Sequence, residues 1–398
     1  MKKQVKVAAS LLIICLIAFL GLRSYLGLNF FQALIQDTGL EKKPVLAEES
    51  VKPKLPRLEE VSLLAAGDIM YHMPQVRGAY SNGVYDFNNN FKYISSYAEG
   101  ADLAIANFET VAAGRELGYS GYPAFNSPVE SLESIKKAGF DIVNTANNHI
   151  LDRGKDGVFK TLDNIKRLGL KNIGTSRDGE DKFLIEDVRG VKLGFLSYTY
   201  GCNGNEAAYS KEDREGFINF IDEGRIYRDI DKMRPEVDFL VLYIHWGQEY
   251  QLSPNESQTL LADKLLARGV DIILGSHPHV IQRAEETKLD GQDKFVVYSL
   301  GNFISNQRYE SLKNYNTEDG LMVNLRLEKN FDTGQKRIVA VDYIPTWVNK
   351  YTRDSRNNYE IIPIEPALGG QLDIYNYPAI EDRLRKSYER TQDRINNR

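Results

Sequence analysis

The chain has 398 residues, 42% hydrophobic and 26% charged, with a formal net charge of −5 and a pI near 5.7. That balance suits a folded body of one large domain or two ordinary ones, and an acidic chain without a basic stripe excludes general nucleic-acid binding. Of its two cysteines, Cys15 lies inside the first apolar run, which leaves Cys202 without an evident partner and excludes a disulfide framework.

Lys2, Lys3 and Lys6 precede an apolar run from Val7 to Leu22. At ~1.5 Å per residue the run falls slightly short of a ~30 Å hydrocarbon core, a gap that Lys6 and Arg23 close by snorkelling. The lysine excess before it predicts a single-pass anchor within residues 1–27 of the chain, with the N-terminus in the cytoplasm and the rest extracytoplasmic. A cleaved signal peptide is the alternative, although no small-x-small site follows closely. Residues 28–60 are charged and proline-containing and read as a stalk, followed by a domain over 61–350 and a C-terminal extension over 351–398.

Past the stalk, short apolar runs bounded by turn residues predict buried strands at Val61–Ala66, Asp102–Ala106, Phe140–Ala146, Val191–Tyr198, Val237–Ile244, Val270–Leu274 and Phe295–Leu300. Helical patterns fall at Val129–Ala138, Lys155–Leu168, Gly224–Met233 and Asn255–Arg268, the last expected to be capped by Ser253 with Pro254 opening it. Alternating strands and helices predict an α/β domain with a largely parallel sheet. Leu321–Leu327 and Arg337–Ile344 read as an antiparallel pair turned at Asp332-Thr-Gly334, and Ala379–Arg398 as an exposed charged helix or tail.

All five histidines sit in polar motifs at or just past apolar runs. Six strands run into such motifs: Gly67-Asp68, Asn107-Phe-Glu109, Asn147-Asn-His149, His245-Trp-Gly-Gln-Glu249, Gly275-Ser-His-Pro-His279 and Gly301-Asn302. Open α/β sheets bind ligands beyond the carboxyl ends of their strands, so parallel strands would gather these motifs at one edge. Asp68, Glu109, Asn148, His245, His277 and His279 then form a mixed oxygen and imidazole set, suited to Mn, Zn or Fe rather than Ca or Mg. Taken singly, Gly67-Asp68 reads equally as a turn, His149 as a helix cap and His245 as a core histidine. In extended backbone His277 and His279 would point the same way.

Gly67-Asp-Ile-Met70, Asn107-Phe-Glu109, Ala146-Asn-Asn-His-Ile-Leu-Asp-Arg-Gly154, His245-Trp-Gly-Gln-Glu-Tyr250, Gly275-Ser-His-Pro-His-Val280 and Tyr298-Ser-Leu-Gly-Asn-Phe303 resemble, in order, the CapA (PgsA-type) poly-γ-glutamate capsule biosynthesis family. That family is in turn similar to calcineurin-like metallophosphoesterases. The resemblance implies a four-layer α/β/β/α metallo-dependent phosphatase-like sandwich behind the N-terminal transmembrane helix. It implies one or two divalent transition-metal ions on Asp68, Glu109, Asn148, His245, His277 and His279, activating a water for hydrolysis, with His149 or His72 giving the leaving group its proton. The sequence departs from the phosphoesterase pattern where Met70 replaces a histidine and where Gly-Asp-x-x-Asp is missing, which implies that one metal site is altered or lost and leaves a degenerate scaffold open.

Asn107, Arg153 and Asn302 are candidate substrate contacts, although Arg153 pairing with Asp152 or Asp156 is the simpler reading. The loop from Gly118 to Asn126 is a candidate groove wall, and Glu249 a candidate to orient a ligand histidine. The expected function is synthesis, export or attachment of a poly-γ-glutamate-like or other envelope polymer, with a metal-dependent hydrolase-like site. Its expected partners are the cell membrane, an anionic envelope polymer and membrane subunits of a capsule synthase, with no nucleic acid. A cell-surface phosphoesterase unconnected with capsule and a non-catalytic, polymer-binding assembly subunit remain open.

Overall fold

The computed structural model describes residues 56–177 and 182–396. The expected anchor and most of the expected stalk lie outside the described residues. Among the described residues no helix is long and apolar enough to cross a membrane. The strands of the two large sheets, in chain order, are β1 (Leu58–Ile69), β2 (Leu103–Phe108), β3 (Ile142–Asn144), β4 (Lys171–Ile173), β5 (Leu184–Val188), β6 (Val191–Thr199), β7 (Phe239–His245), β8 (Ile272–Ser276), β9 (Ala284–Leu289), β10 (Gln292–Val297), β11 (Asn302–Ile304), β12 (Asp319–Asn330), β13 (Lys336–Arg353) and β14 (Arg356–Pro363). The helices that cover them are α1 (Met73–Ala79), α2 (Glu130–Lys137), α3 (Gly154–Arg167), α4 (Glu223–Met233), α5 (Glu256–Arg268) and α6 (Tyr377–Asn396).

One sheet runs β14-β13-β12-β1-β2-β3-β4 with β11 on the end of β1, and the other runs β9-β10-β8-β7-β6-β5. The expected largely parallel sheet is thus two mixed sheets. β1–β2–β3–β4 and β6–β7–β8–β10 are parallel runs, while β12, β13, β14, β5 and β9 add antiparallel arms.

Side chains alternate across a strand, and β1 shows what each face meets. Leu63 and Ala65 turn inward and pack with Ile105, Phe195, Val241 and Ile272 between the sheets. Leu64 and Ala66 turn outward under Leu132 and Ile135 of α2 and Ile165 of α3. On the far side, Leu240, Leu242 and Ile273 pack beneath Ile226 and Ile230 of α4 and Ala262 and Leu265 of α5. The layers are therefore α/β/β/α. Strands buried on both faces read as continuous apolar runs, which is why they stand out in the sequence.

Three expectations are corrected. No boundary falls near 350: β13 runs on to Arg353, turns through Asp354 and Ser355 at φ +52° and +60°, and returns as β14 in the same sheet, so Pro56–Arg398 is one compact unit. Nor is the C-terminal segment an exposed tail, because α6 buries Ile380 and Leu384 against Trp347 and Ile362 and sends Arg383 and Arg390 to Glu318 and Asp319. Helix α5 is capped by Asn255 rather than Ser253; Asn255 Oδ1 accepts from Gln258 N at 3.0 Å and Gln258 Oε1 accepts from Asn255 N at 3.0 Å, satisfying two orphan donors at once.

Candidate metal centre

The carboxyl ends of both parallel runs open on one place. Asp68 lies in register with Asn107 of β2 and Asn302 of β11, and His245 with Thr199 of β6 and Ser276 of β8. Gly67 makes the first junction possible: a Cβ there would stand 2.0 Å from the Gly301 carbonyl, the oxygen that accepts from Asp68 N at 2.9 Å. Only a residue without a side chain lets β1 and the Gly301 turn approach so closely.

Buried Asn107 organises the carboxylates. Its Nδ2 donates to Asp68 Oδ1 at 2.8 Å and Glu109 Oε2 at 3.1 Å, while its Oδ1 accepts from Asn144 Nδ2 at 2.9 Å. Asp68 Oδ2 lies 3.2 Å from His279 Nδ1. Glu109 Oε1 is fully buried with no hydrogen-bond partner among the described residues, yet stands 3.6 Å from both His245 Nε2 and His279 Nε2. His245 Nε2 is also 3.0 Å from Asn148 Oδ1, and its Nδ1 is held by Ser276 Oγ at 2.9 Å.

His277 and His279 have φ +97° and +56°, so the expected extended backbone is corrected to a left-handed one. Such residues persist where their surroundings over-determine them. Here Tyr250 N donates to Pro278 O at 2.8 Å and Asn302 Nδ2 to His279 O at 3.3 Å.

One ligand atom from each member of three groups lies within 4.8 Å of the others: Glu109, His245 and His277; Asp68, Glu109 and His279; Glu249, His277 and His279. Glu109 Oε1 and His277 Nδ1 are both buried without partners among the described residues. Buried polar atoms are normally satisfied, and an orphan carboxylate oxygen facing imidazole nitrogens fits a divalent cation. The electrostatics agree. Burial, then the neighbouring Asp68 carboxylate, push Glu109 well above the usual carboxylate range. Burial, then the other imidazoles, hold His245 well below its ordinary value and His277 at about 3. Neutral imidazoles are the form that ligates metal.

The other sequence candidates take different places. His149 Nδ1 is 2.8 Å from Asp152 Oδ2, which also accepts from Phe125 N at 2.6 Å, so Asp152 orients the ring against the loop that carries Tyr122. His72 caps α1: its backbone N–H donates to Gln75 Oε1 at 2.8 Å, and burial with His279 nearby lowers its imidazole to about 4. It stands edge-on to Phe125, whose ring also meets His149, with centroids 5.1 and 4.7 Å apart.

Arg153 donates to the Asp152 carbonyl at 2.8 Å and to Ser120 Oγ rather than to a carboxylate of Asp152 or Asp156. Asn107 and Asn302 are fully buried. Asn302 Nδ2 spans the His279 and Thr317 carbonyls and Gln307 Oε1, at 3.3, 2.9 and 3.0 Å. Both asparagines therefore build the site from beneath.

The strand Val191–Tyr198, which shows no polar motif at its end, contributes residues that the sequence reading missed. The Tyr200 ring lies 4.5 Å from His277, and Asn203 Oδ1 accepts from Asn148 Nδ2 at 3.2 Å. Its place in the parallel run was the available signal.

A two-sheet α/β sandwich thus gathers carboxylates and imidazoles where its strands end. The chain belongs to the bacterial capsule synthesis protein PGA_cap family, whose model matches residues 62–307. It is 28% identical to the capsule biosynthesis protein CapA of Bacillus anthracis over 68% of this chain and 65% of that protein. It is likewise 28% identical to the PGA biosynthesis protein CapA of Bacillus subtilis, over 68% of this chain and 70% of the relative. About a third of each relative thus lies outside the match. Among solved structures, similarity extends to the calcineurin-like phosphoesterase YfkN of Bacillus subtilis, with 15% identity, a TM-score of 0.42 and coverage of 85% of this chain and 99% of that one. It extends also to a Mycoplasma pneumoniae phosphatase, with 14% identity, a TM-score of 0.42 and coverage of 73% and 94%.

Proposed function

We propose that this protein is a divalent-metal-dependent hydrolase of capsule biosynthesis. In this reading an N-terminal segment anchors it, its domain lies outside the membrane beside the membrane subunits of a capsule synthase, and it acts on phosphoester or amide bonds of an anionic envelope polymer or its precursors. The observation that carries the reading is Glu109: a fully buried carboxylate oxygen without a donor, 3.6 Å from two imidazole nitrogens, is costly unless a cation joins them. Asp68, Glu109, Asn148, His245, His277 and His279 would hold Mn, Zn or Fe, whose Lewis acidity polarises the scissile group and lowers the pKa of water.

The chain's own residues supply orientation and proton handling. Asp152 fixes the proton of His149 at Nδ1, leaving Nε2 as the nitrogen that exchanges a proton with the reacting group. The lowered His72 imidazole is neutral at pH 7, so it suits hydrogen bonding better than acid catalysis. An anionic substrate is favoured by Lys350. Among the described residues it has no carboxylate partner, and its Nζ donates to Asn306 Oδ1 at 3.0 Å, while Asn306 N donates to His72 Nδ1 at 3.4 Å.

The test is metal analysis of the purified full-length chain, followed by hydrolysis assays with phosphoester and γ-glutamyl amide substrates. Bound transition metal, with turnover lost in His277→Ala and His149→Ala, is expected. A chain that retains no metal, or variants that turn over as the wild type does, would sink the reading.

A further inference from the structure

The three ligand groups form a closed cycle. The first two share Glu109, the first and third share His277, and the second and third share His279. Two of the groups are fully buried, whereas the third ends on Glu249, which is exposed. We propose that Glu249 is a direct metal ligand, completing from the solvent side the coordination of the ion held by His279, and not merely a group that orients a histidine. The proposal rests on the metal-dependent reading above and names the ligand that the buried residues leave missing.

Ligand atoms at ~2.0–2.2 Å from one ion lie no more than about 4.4 Å apart. The Glu249 carboxylate, His277 and His279 already meet within 4.8 Å, so a small rotation of an exposed side chain brings Glu249 into the coordination sphere. An imidazole ordinarily gives one nitrogen to one ion, so the shared histidines cannot fill all three groups with separate ions. Glu249 therefore adds to a centre of at most two ions and does not create an independent one.

Each buried group offers three donors of carboxylate or imidazole type. Asn148, 3.0 Å from His245 Nε2, supplies a fourth to the group containing His245. The group of Asp68, Glu109 and His279 offers these three donors, and Glu249 reaches the same His279. Charge points the same way. Two divalent ions against Asp68 and Glu109 alone carry an uncompensated excess, which a third carboxylate reduces.

The backbone holds Glu249 in place for this role. Its loop turns at Gly247, with φ +85°, and at Tyr250, with φ +65°. Trp246 N donates to Ser276 O at 3.1 Å, and Tyr250 N to Pro278 O at 2.8 Å. Gln282 Nε2 donates to Gln251 O at 2.8 Å from the other side. Glu249 thus rides on a segment tied directly to the residues around His277 and His279. An entropically costly loop closure is not needed to bring it to the ion.

The experiment compares wild type, Glu249→Gln and Glu249→Asp as full-length chains. Each is stripped with chelator and titrated with Mn2+ by calorimetry, with ion counts by plasma mass spectrometry. Co2+ visible absorption reads the coordination number. Glu249→Gln is expected to lose one ion per chain, or to bind its weaker ion at least tenfold less tightly, with a changed Co2+ spectrum. Glu249→Asp should fall between the two. Since Glu249 is exposed, the stripped variants should melt with the stripped wild type, which separates ligand loss from misfolding. A Glu249→Gln chain with wild-type ion count, affinity and Co2+ spectrum overturns the ligand assignment alone. A wild type that takes up no ion overturns the metal-dependent reading and this proposal with it.

Discussion

Replacing Glu109 by glutamine should make the metal-stripped protein more stable while removing its response to metal. The side chain is fully buried, one oxygen accepts from Asn107 Nδ2 at 3.1 Å, and the other has no partner among the described residues. A buried acceptor left without a donor costs about 1–3 kcal/mol, more when charged. Glu109→Gln keeps the acceptor for Asn107 and places a neutral amide where the orphan oxygen faced two imidazoles. The sign with pH follows from the raised carboxyl of Glu109. Below the unfolded carboxylate value, near ~4.3, both states are protonated and Glu109 has no pH-linked cost. As pH rises from there through the raised folded value, the wild type loses stability and the variant does not.

At pH 7.5 the stripped variant should therefore exceed the stripped wild type by about 1–3 kcal/mol, or on the order of 2 °C in Tm per kcal/mol for a domain of this size. At pH 4.5 the gap should close. Metal at a thousand times its Kd should then raise the wild type by about 4 kcal/mol and leave the variant nearly unmoved. Scanning calorimetry at both pH values, with and without Mn2+, reads all of these quantities. A stripped variant less stable than wild type at pH 7.5, or a gap that does not vary with pH, would refute the reasoning.

Further perturbations probe other parts of the structure. Asp152→Asn should cut turnover on the order of 10²-fold or more with the ion count unchanged, because Asp152 orients His149 at 2.8 Å without touching the ligand cluster; lost metal would show that the pair is structural. Glu318→Ala leaves Arg308, only 3% exposed, without its 3.3 Å partner, and should cost about 3–5 kcal/mol in urea denaturation. A loss under about 1 kcal/mol would mean that water reaches Arg308. Leu384→Ala should cost about 2–5 kcal/mol if α6 is docked, since Leu384 is fully buried against Trp347 and Ile362. A neutral result would return α6 to an exposed tail.

The strands and the ends that carry chemistry were legible because both depend on local pattern. Apolar runs such as Phe239–His245 are buried on both faces, and a polar motif at the carboxyl end of a parallel strand must face the ligand edge. Other features depend on partners distant in sequence. Tyr200 and Asn203 follow a strand with no histidine to mark it, yet β6 lies beside β7, which carries His245. Arg383 and Arg390 read as solvated charges until Glu318 and Asp319 are placed beneath α6.

The sequence by itself determined the α/β class, the family and the side chains that gather at the strand ends, because residue type and period are properties of short segments. Only the tertiary structure decided that the strands divide into two facing sheets, that residues 351–396 close the domain, and that Asn107 and Asn302 support the site from below. It alone decided that one oxygen of Glu109 is left without a donor. The reason is physical. Whether a buried polar atom finds a partner depends on every element that closes around it, and Glu109 is enclosed by β1, β2, β7 and the His277–His279 turn, contributed from across more than half the chain.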